Sequence, residues 1–431
     1  MTSQIESQPP AAPDLRVSLD RDLLGGTLAL EAFWQALRED WRAVRHAPAA
    51  FGRAPGAADA ILADGTPPKI DTLPFDAQVI DRLRAARTEG RRVVLTTGGT
   101  PGFAALAAAH LGCIDAVEIV TDPPRQSPML RTGPAAGISR FVTILRAMRP
   151  HQWVKNVLVF LPMIADHGLT AANIGWTLLA FVAFALVASA VYVLNDLIDL
   201  PADRRHPSKR HRPFASGALP LSVGTWMLPG LLAAGLGLAA LGGPNLLAVM
   251  ILYALTTTAY SLKLKGTLGA DIVLLALLYT LRIIAGAAVT GITLSMWLLS
   301  FSVFLFLSLA AVKRLSELVY IENEGGRGRA SGRAYMVEDR PVVAMIATSA
   351  GFLSVLVLAL YIDSPEVAAL YARPQILWGL GLGLLYWISR TVLLAHRGQV
   401  DQDPVVFALS DRVSRLTAIG LGLIFIAAIL G

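Results

Sequence analysis

Near residue 140 the pattern of the chain changes. Up to that point charges break up every apolar run, as in DRDLLGG, REDWRAVRH and DRLRAARTEGRR, which is the patterning of a soluble domain. Beyond it lie nine predominantly apolar stretches, at residues 154–165, 175–194, 223–241, 246–260, 272–291, 296–312, 342–362, 376–394 and 416–430. Most approach the length a helix needs to cross about 30 Å of hydrocarbon. Lipid offers no partner to a backbone N–H or C=O, so a spanning chain is helical or a closed barrel, and barrel strands alternate rather than run continuously apolar. The pattern predicts an all-α polytopic membrane bundle of about nine transmembrane helices, the first being the weakest, behind a small amino-terminal domain. It divides the chain into a tail at 1–13, a soluble domain at 14–125, a linker at 126–140 and a membrane part at 141–431. The opening MTSQIESQPPAAPDLR has neither a basic start nor an apolar core, so it reads as a disordered tail rather than a signal peptide.

Composition agrees: of 431 residues 54% are hydrophobic and 16% charged, against roughly 25% charged in a soluble domain, and the mean hydropathy is +0.56. Lysine and arginine outnumber the acids 37 to 31, for a net charge of +6, and their positions decide what that means. The loops after spans two, four, six and eight carry Arg204, Arg205, Lys209, Arg210 and Arg212, then Lys263 and Lys265, then Lys313, Arg314, Arg327, Arg329, Arg333 and Arg340, then Arg397, Arg412 and Arg415. The intervening loops hold Arg373. Such asymmetry predicts an inner-membrane protein with its amino terminus and cation-rich loops in the cytoplasm and its carboxyl terminus on the opposite side. Cations confined to short interhelical loops exclude nucleic acid as the partner. The single Cys113 excludes a disulfide framework and a Cys-based zinc site. Nothing in the sequence fixes an oligomeric state.

The chemistry concentrates at the loops on the cytoplasmic side. Span two runs into NDLIDLPADRRHPSKRHRPFASG, where Asp196, Asp199 and Asp203 fall along one side of a helix if the helix continues. Pro201 between them is expected to break or kink it. Magnesium takes oxygen ligands, keeps several waters and bridges one or two carboxylates to phosphates, so three acids followed by Lys209, Arg210 and Arg212 suggest Mg²⁺ and a diphosphate. A solvated loop with anchoring cations is the plainer reading. After span four, YSLKLKGTLGAD places Tyr260, Lys263, Lys265 and Asp271 on the same membrane side. Arg282 follows on nearly the same helical face, about 16 Å deeper at 1.5 Å per residue. An intramembrane arginine is expensive and should face a polar cavity or an acid. RPHQWVKN sets Arg149, His151, Gln152, Lys155 and Asn156 at the interface before span one, and AVKRLSEL after span six supplies Lys313, Arg314 and Glu317. Anchoring and positive-inside bias would explain these last two groups equally well.

The NDLIDLPADRRHPSKRHRP segment, followed by YSLKLKGTLGAD and nine spans, resembles the UbiA superfamily of intramembrane prenyltransferases over roughly residues 140–431. RPHQWVKN, the HPSKRHRPFASG continuation and KRLSEL look most like its decaprenyl-phosphate phosphoribosyltransferase branch. The resemblance implies phosphoribosyl pyrophosphate as donor, a polyprenyl phosphate as acceptor and Mg²⁺ as cofactor. It makes Asn195, Asp196, Asp199 and Asp203 the first motif and Asp271 the second, with Tyr260 and Lys265 beside it. The front part is similar to a haloacid-dehalogenase-like α/β domain, through LRVSLDRDLLGG and RRVVLTTGGT, but a serine, Ser18, stands where that family has its carboxylate nucleophile. No phosphatase activity is expected.

These readings combine into a transferase that moves 5-phosphoribose onto a polyprenyl phosphate at the cytoplasmic membrane face and releases pyrophosphate. Asp196, Asp199, Asp203 and Asp271 are the expected metal ligands, with Lys209 joining the first three in catalysis. Lys155, Asn156, Asn195, Arg210, Arg212, Tyr260, Lys265, Arg282, Lys313 and Arg314 are the expected substrate contacts. Aromatic prenyl transfer from a prenyl diphosphate is the alternative within enzymes, favoured if aromatic rings line the cavity. A non-catalytic lipid-phosphate binder or transporter is the alternative from another class, disfavoured by a nearly uncharged far side.

Overall fold

The computed structural model describes residues 13–24, 28–52, 67–120, 139–323, 333–365, 371–400 and 403–430, with Ala58, Ile61, Leu62 and Val367. The expected tail and linker lie almost wholly outside the described residues. In chain order come strand β1 (Leu15–Ser18), helices α1 (Leu28–Glu39), α2 (Ala47–Gly52) and α3 (Ala77–Thr88), strand β2 (Val93–Thr97), α4 (Pro101–Leu111) and strand β3 (Ala116–Ile119). Then follow α5 (Arg140–Met148), a 3₁₀ stretch at Pro150–Phe160, α6 (Leu161–Ala165), α7 (Ala171–Ile198), α8 (Leu200–Arg205), α9 (Leu221–Leu241), α10 (Pro244–Leu262) and α11 (Ala270–Thr290). The chain ends with α12 (Met296–Asn323), α13 (Arg340–Ile362), α14 (Trp378–His396), α15 (Pro404–Ser410) and α16 (Arg412–Leu430). It divides into two compact units, one of residues 1–150 with 189–232 and the other of residues 151–188 with 233–431.

The first unit contains a three-stranded parallel sheet in the order β1-β2-β3. Every residue of β2, VVLTT, is buried, as expected of a central parallel strand covered on both faces. Leu15, Val17, Val79, Leu83, Val93, Leu95, Phe103, Ala107 and Cys113 form its core. Helix α3 starts at Asp76, whose carboxylate accepts from the Gln78 and Val79 amides, the usual way to satisfy the first free donors of a helix. A second cluster in this unit packs Phe33 and Trp34 of α1 against Leu197, Leu200, Phe214 and Leu221. The Trp34 indole donates to Thr225 Oγ1 at 3.1 Å.

Eight of the described helices, α7, α9 to α14 and α16, are long and apolar enough to cross a membrane. They coincide with the eight later apolar stretches to within a few residues, except that α12 runs on through KRLSELVYIEN. The first stretch, 154–165, is not such a helix. It winds as 3₁₀ to Phe160 and as α only for the five residues of α6, where Pro162 takes a first-turn position. The tighter, narrower 3₁₀ winding lengthens it: at about 2.0 Å per 3₁₀ residue and 1.5 Å per α residue, Pro150–Ala165 has a contour of roughly 30 Å.

Its close neighbour in the second unit is Gly286 of α11. A Cβ at Gly286 would lie 2.0 Å from the Val159 carbonyl oxygen and 3.2 Å from Pro162. Glycine here permits backbone-to-backbone approach. We expect Gly286→Ala to lower stability by about 1–3 kcal/mol or more, as overpacking does, seen as a lower thermal midpoint in detergent. Gly237→Ala, where nothing lies within 4 Å, should leave that midpoint nearly unchanged.

Candidate active site

In the first unit, α7 ends at Ile198 and Asp199 begins α8. Pro201 falls in the first turn of α8, where its missing N–H has no partner to lose. The Asp199 amide still donates to Asn195 O and the Asp203 amide to Asp199 O, so the winding is renewed rather than broken. Asp196 and Asp203 are 2% and 3% exposed and share one cation. Arg212 Nη1 lies 3.2 Å from Asp196 Oδ1 and 2.5 Å from Asp203 Oδ2. Arg149, held over the Tyr192 ring at 5.2 Å, donates to the same Asp196 oxygen. No spacing or motif in the sequence joins Arg149 to these acids, 47 residues away from Asp196. Asp199 and Asn195 are half-buried, Lys209 is half-buried in a 3₁₀ turn at Lys209–His211, and Arg210 is exposed. Arg204 turns instead to Glu31 of α1, in a two-pronged pair at 3.0 and 2.7 Å.

Two hard-oxygen donors converging on a point that already carries positive charge suit a magnesium ion, which needs one or two carboxylates and completes its shell with water and phosphate. Among the described residues no three or more His, Cys, Asp or Glu side chains gather as a ready-made metal cage, and Mg²⁺ does not require one. Arg212 is 28% exposed, so it can yield its place by turning into water.

In the second unit a group of cations is buried. Lys155 and Asn156, 8% and 1% exposed, come from the 3₁₀ stretch. Asn156 Oδ1 accepts from Arg282 Nε at 3.0 Å, Arg282 Nη2 donates to the Tyr253 hydroxyl at 3.1 Å, and Nη1 donates to Leu278 O. The Arg282 guanidinium lies 5.5, 5.1 and 5.7 Å from the rings of Phe184, Tyr253 and Tyr279. Asn156 Nδ2 is buried without a hydrogen-bond acceptor among the described residues. Lys155 donates to Asp403 and lies 5.9 Å from the Tyr279 ring. Asp403 also caps α15 by accepting from the Val405 amide at 3.1 Å. Burial alone would raise the Asp403 carboxyl, but Lys155 and Lys313 hold it below the usual carboxylate range. The DPVVFALSDR segment thus joins helices. At its other end Arg390 binds Asp411 with two bonds, 2.7 and 3.1 Å, and holds its carboxyl down to about 2.

Asp271, in the first turn of α11, lies in a second cluster of this unit. Its Oδ1 accepts from the Tyr260 hydroxyl at 2.7 Å and from Arg333 Nη1 at 3.2 Å. Its Oδ2 faces Arg314 Nη2 at 2.7 Å, a charge contact without hydrogen-bond alignment. Arg314 also donates to Glu317, one turn along α12. Asp271 and Arg314 are both 0% exposed, and separating such a pair costs about 3–5 kcal/mol because each charge stays buried. The residue that the family resemblance makes a metal ligand is therefore committed to two guanidinium groups. Lys265 is half-buried in a 3₁₀ turn at Leu264–Gly266. In the sequence Arg333 is one cation among several in the loop after span six, with nothing to tie it to Asp271.

At the carboxyl edge of the sheet, Ser18 Oγ accepts from the Arg21 amide at 3.3 Å and Thr96 Oγ1 donates to Val17 O at 3.2 Å, while Thr97 Oγ1 donates to Gly99 O. Ser18 and Thr97 thus hold their own turns, and Thr96 ties β2 to β1. Burial raises the Asp20 carboxyl, which accepts from the Leu28 amide at 2.6 Å.

The model of the UbiA prenyltransferase family matches residues 157–410. Nodulation protein NoeC of Azorhizobium caulinodans is 41% identical over 293 residues, covering 66% of this chain and 94% of that protein. A decaprenyl-phosphate phosphoribosyltransferase of Mycobacterium tuberculosis is 38% identical over 231 residues, 51% of this chain and 70% of that protein. Among solved structures, a UbiA homolog from Archaeoglobus fulgidus bound to GPP and Mg²⁺ covers 65% of this chain and 99% of its own, with a TM-score of 0.50 and 16% identity, a likeness of fold.

Proposed function

The chain belongs to the UbiA prenyltransferase family, and from that premise we propose that it transfers 5-phosphoribose from phosphoribosyl pyrophosphate to a polyprenyl phosphate, releasing pyrophosphate. It is a multi-pass integral membrane protein. The reading includes a cytoplasmic front domain at 14–125 and a transferase domain at 141–431. It sets the reaction at the cytoplasmic face of the inner membrane and, with the first stretch crossing as well, the carboxyl terminus on the far side. The observation that carries the reading is Arg282. It is a buried guanidinium with no carboxylate partner among the described residues, beside the unmatched donor of Asn156. Buried charge is tolerated when a counter-ion arrives, and a phosphate supplies both the negative charge and the missing acceptor.

In the proposed reaction the C1–O bond to pyrophosphate breaks while a lipid phosphate oxygen bonds to C1. Asp196, Asp199 and Asp203 would hold Mg²⁺. When bound, the ion supplies Lewis-acid neutralisation of the leaving diphosphate. Lys209 and Arg212 add positive charge to the same leaving group, and Asn195 and Arg210 stand beside them as further contacts. Lys155, Asn156, Arg282 and Lys313 hold phosphate in the second unit, with Tyr260 and Lys265 flanking, while Arg314 stays paired with Asp271 and Glu317. The acceptor phosphate is already a nucleophile at neutral pH, so no residue is asked to remove a proton. A cavity of about 560 Å³ in the second unit, with apolar walls including Leu161, Leu298, Phe301, Leu380 and Leu421, suits part of an isoprenoid tail.

Aromatic rings near Arg282 are what would favour prenyl transfer to an aromatic acceptor. The guanidinium already lies against three of those rings and Lys155 against one, so their electron-rich faces serve resident cations rather than an allylic one. The deciding experiment gives the purified chain labelled phosphoribosyl pyrophosphate, Mg²⁺ and polyprenyl phosphates of several lengths. A ribosylated lipid is expected. Product from a prenyl diphosphate and an aromatic acid instead would move the chain to the alternative. Binding of lipid phosphate without any turnover would make it a carrier.

A further inference from the structure

Two acids and two arginines balance each other around the start of α11. Asp271 touches Arg314 and Arg333, and Glu317 touches Arg314 and lies 4.0 Å from Arg333 Nε. A divalent ion at Asp271 would have to displace either Arg314 from Oδ2, which at 0% exposed has no water to move into, or Arg333 from Oδ1, which would also lose its bond to the Tyr260 hydroxyl. Arg333 is the cation of this group that reaches the surface, 18% exposed. Its position is fixed from three directions. Nη1 donates to Asp271 Oδ1 and, at 2.8 Å, to the Tyr260 hydroxyl. The guanidinium lies 5.8 Å from the Tyr260 ring centre. Two residues on, the Tyr335 hydroxyl accepts from the Gly269 amide at 3.1 Å, tying the same segment to the turn before α11.

We propose that Asp271 anchors arginines rather than a metal ion, and that Arg333, aimed by Asp271 and Tyr260, is a phosphate-binding residue doing the charge neutralisation a second divalent ion would do. A planar guanidinium held by one edge presents its remaining N–H groups to phosphate oxygens in matched geometry. The inference rests on the reading of the protein as an enzyme of phosphorylated substrates. It does not depend on which group is transferred.

The test is a Mn²⁺ titration by electron paramagnetic resonance on the full chain in detergent, with inorganic pyrophosphate as the probe. One Mn²⁺ per chain is expected, lost in Asp196→Asn and kept in Asp271→Asn. Arg333→Ala should keep the Mn²⁺ and weaken pyrophosphate binding roughly 10- to 100-fold, as loss of a charged hydrogen-bonding partner does. Arg333→Lys should recover part of that loss, and KM for the donor should change more than kcat. Two Mn²⁺ per chain, one of them lost in Asp271→Asn, would overturn the proposal, as would wild-type pyrophosphate affinity in Arg333→Ala. If Asp271→Asn does not fold, the Arg333 variants and the wild-type count decide alone. A chain that binds Mn²⁺ and pyrophosphate as described but makes no ribosylated lipid would sink the phosphoribosyl reading and leave this one standing.

Discussion

Asp196→Asn and Asp199→Asn should each reduce turnover by about 10³-fold, the scale of several kcal/mol of lost charge stabilisation at a departing diphosphate. Asparagine keeps the shape and one oxygen acceptor but removes the charge that would recruit the cation. The loss should not come from unfolding. Arg149 and Arg212, the partners of Asp196, are 22% and 28% exposed, so either can be rehydrated when its acid is neutralised. A thermal midpoint within a few degrees of the wild type, together with lost turnover, is the expected pair of readings. Turnover within tenfold of wild type in both variants would take the metal role from this motif.

What the sequence made legible follows from what lipid forbids. Apolar runs long enough to cross had to be helices, and α10, for example, extends only two residues beyond each end of the stretch at 246–260. The run at 154–165 was visible as apolar, but its 3₁₀ winding was not, because it accompanies a close approach to Gly286 across 127 residues of chain. The end of α12 was hidden for a different reason. KRLSEL reads as a charged loop, yet Arg314 pairs with Glu317 within the helix and with Asp271 outside it, so its charges are matched without leaving the helix. At the site, the spacing of Asp196 and Asp203 was readable and the partners were not. Arg149 is 47 residues from Asp196, Arg333 is 62 from Asp271 and Asp403 is 248 from Lys155. Periodicity reports which side of an element a residue takes. It is silent on which distant charge will meet it.

The front domain was the part whose contribution the sequence left open, and the Arg204–Glu31 pair gives it one. The two side chains are 7% and 9% exposed, and Arg204 directly follows Asp203, so α1 holds the carboxyl-terminal side of the acid motif within the same unit. Glu31→Gln leaves a buried guanidinium without its counter-charge, a loss of about 3–5 kcal/mol, which in a unit of this size lowers the thermal midpoint by roughly 10 °C. Turnover should fall with it as Asp203 loses its support. Ser18→Ala, which touches only the turn after β1, should leave transfer unchanged. A double variant separates charge from packing. Glu31→Leu with Arg204→Met removes both charges and keeps the volume, and buried pairs replaced in this way are often neutral or stabilising. The double variant should therefore regain most of the midpoint lost by Glu31→Gln. If it proves as unstable as the single variant, the two-pronged pair itself holds the motif, and the cost of an unpaired buried charge does not explain the loss.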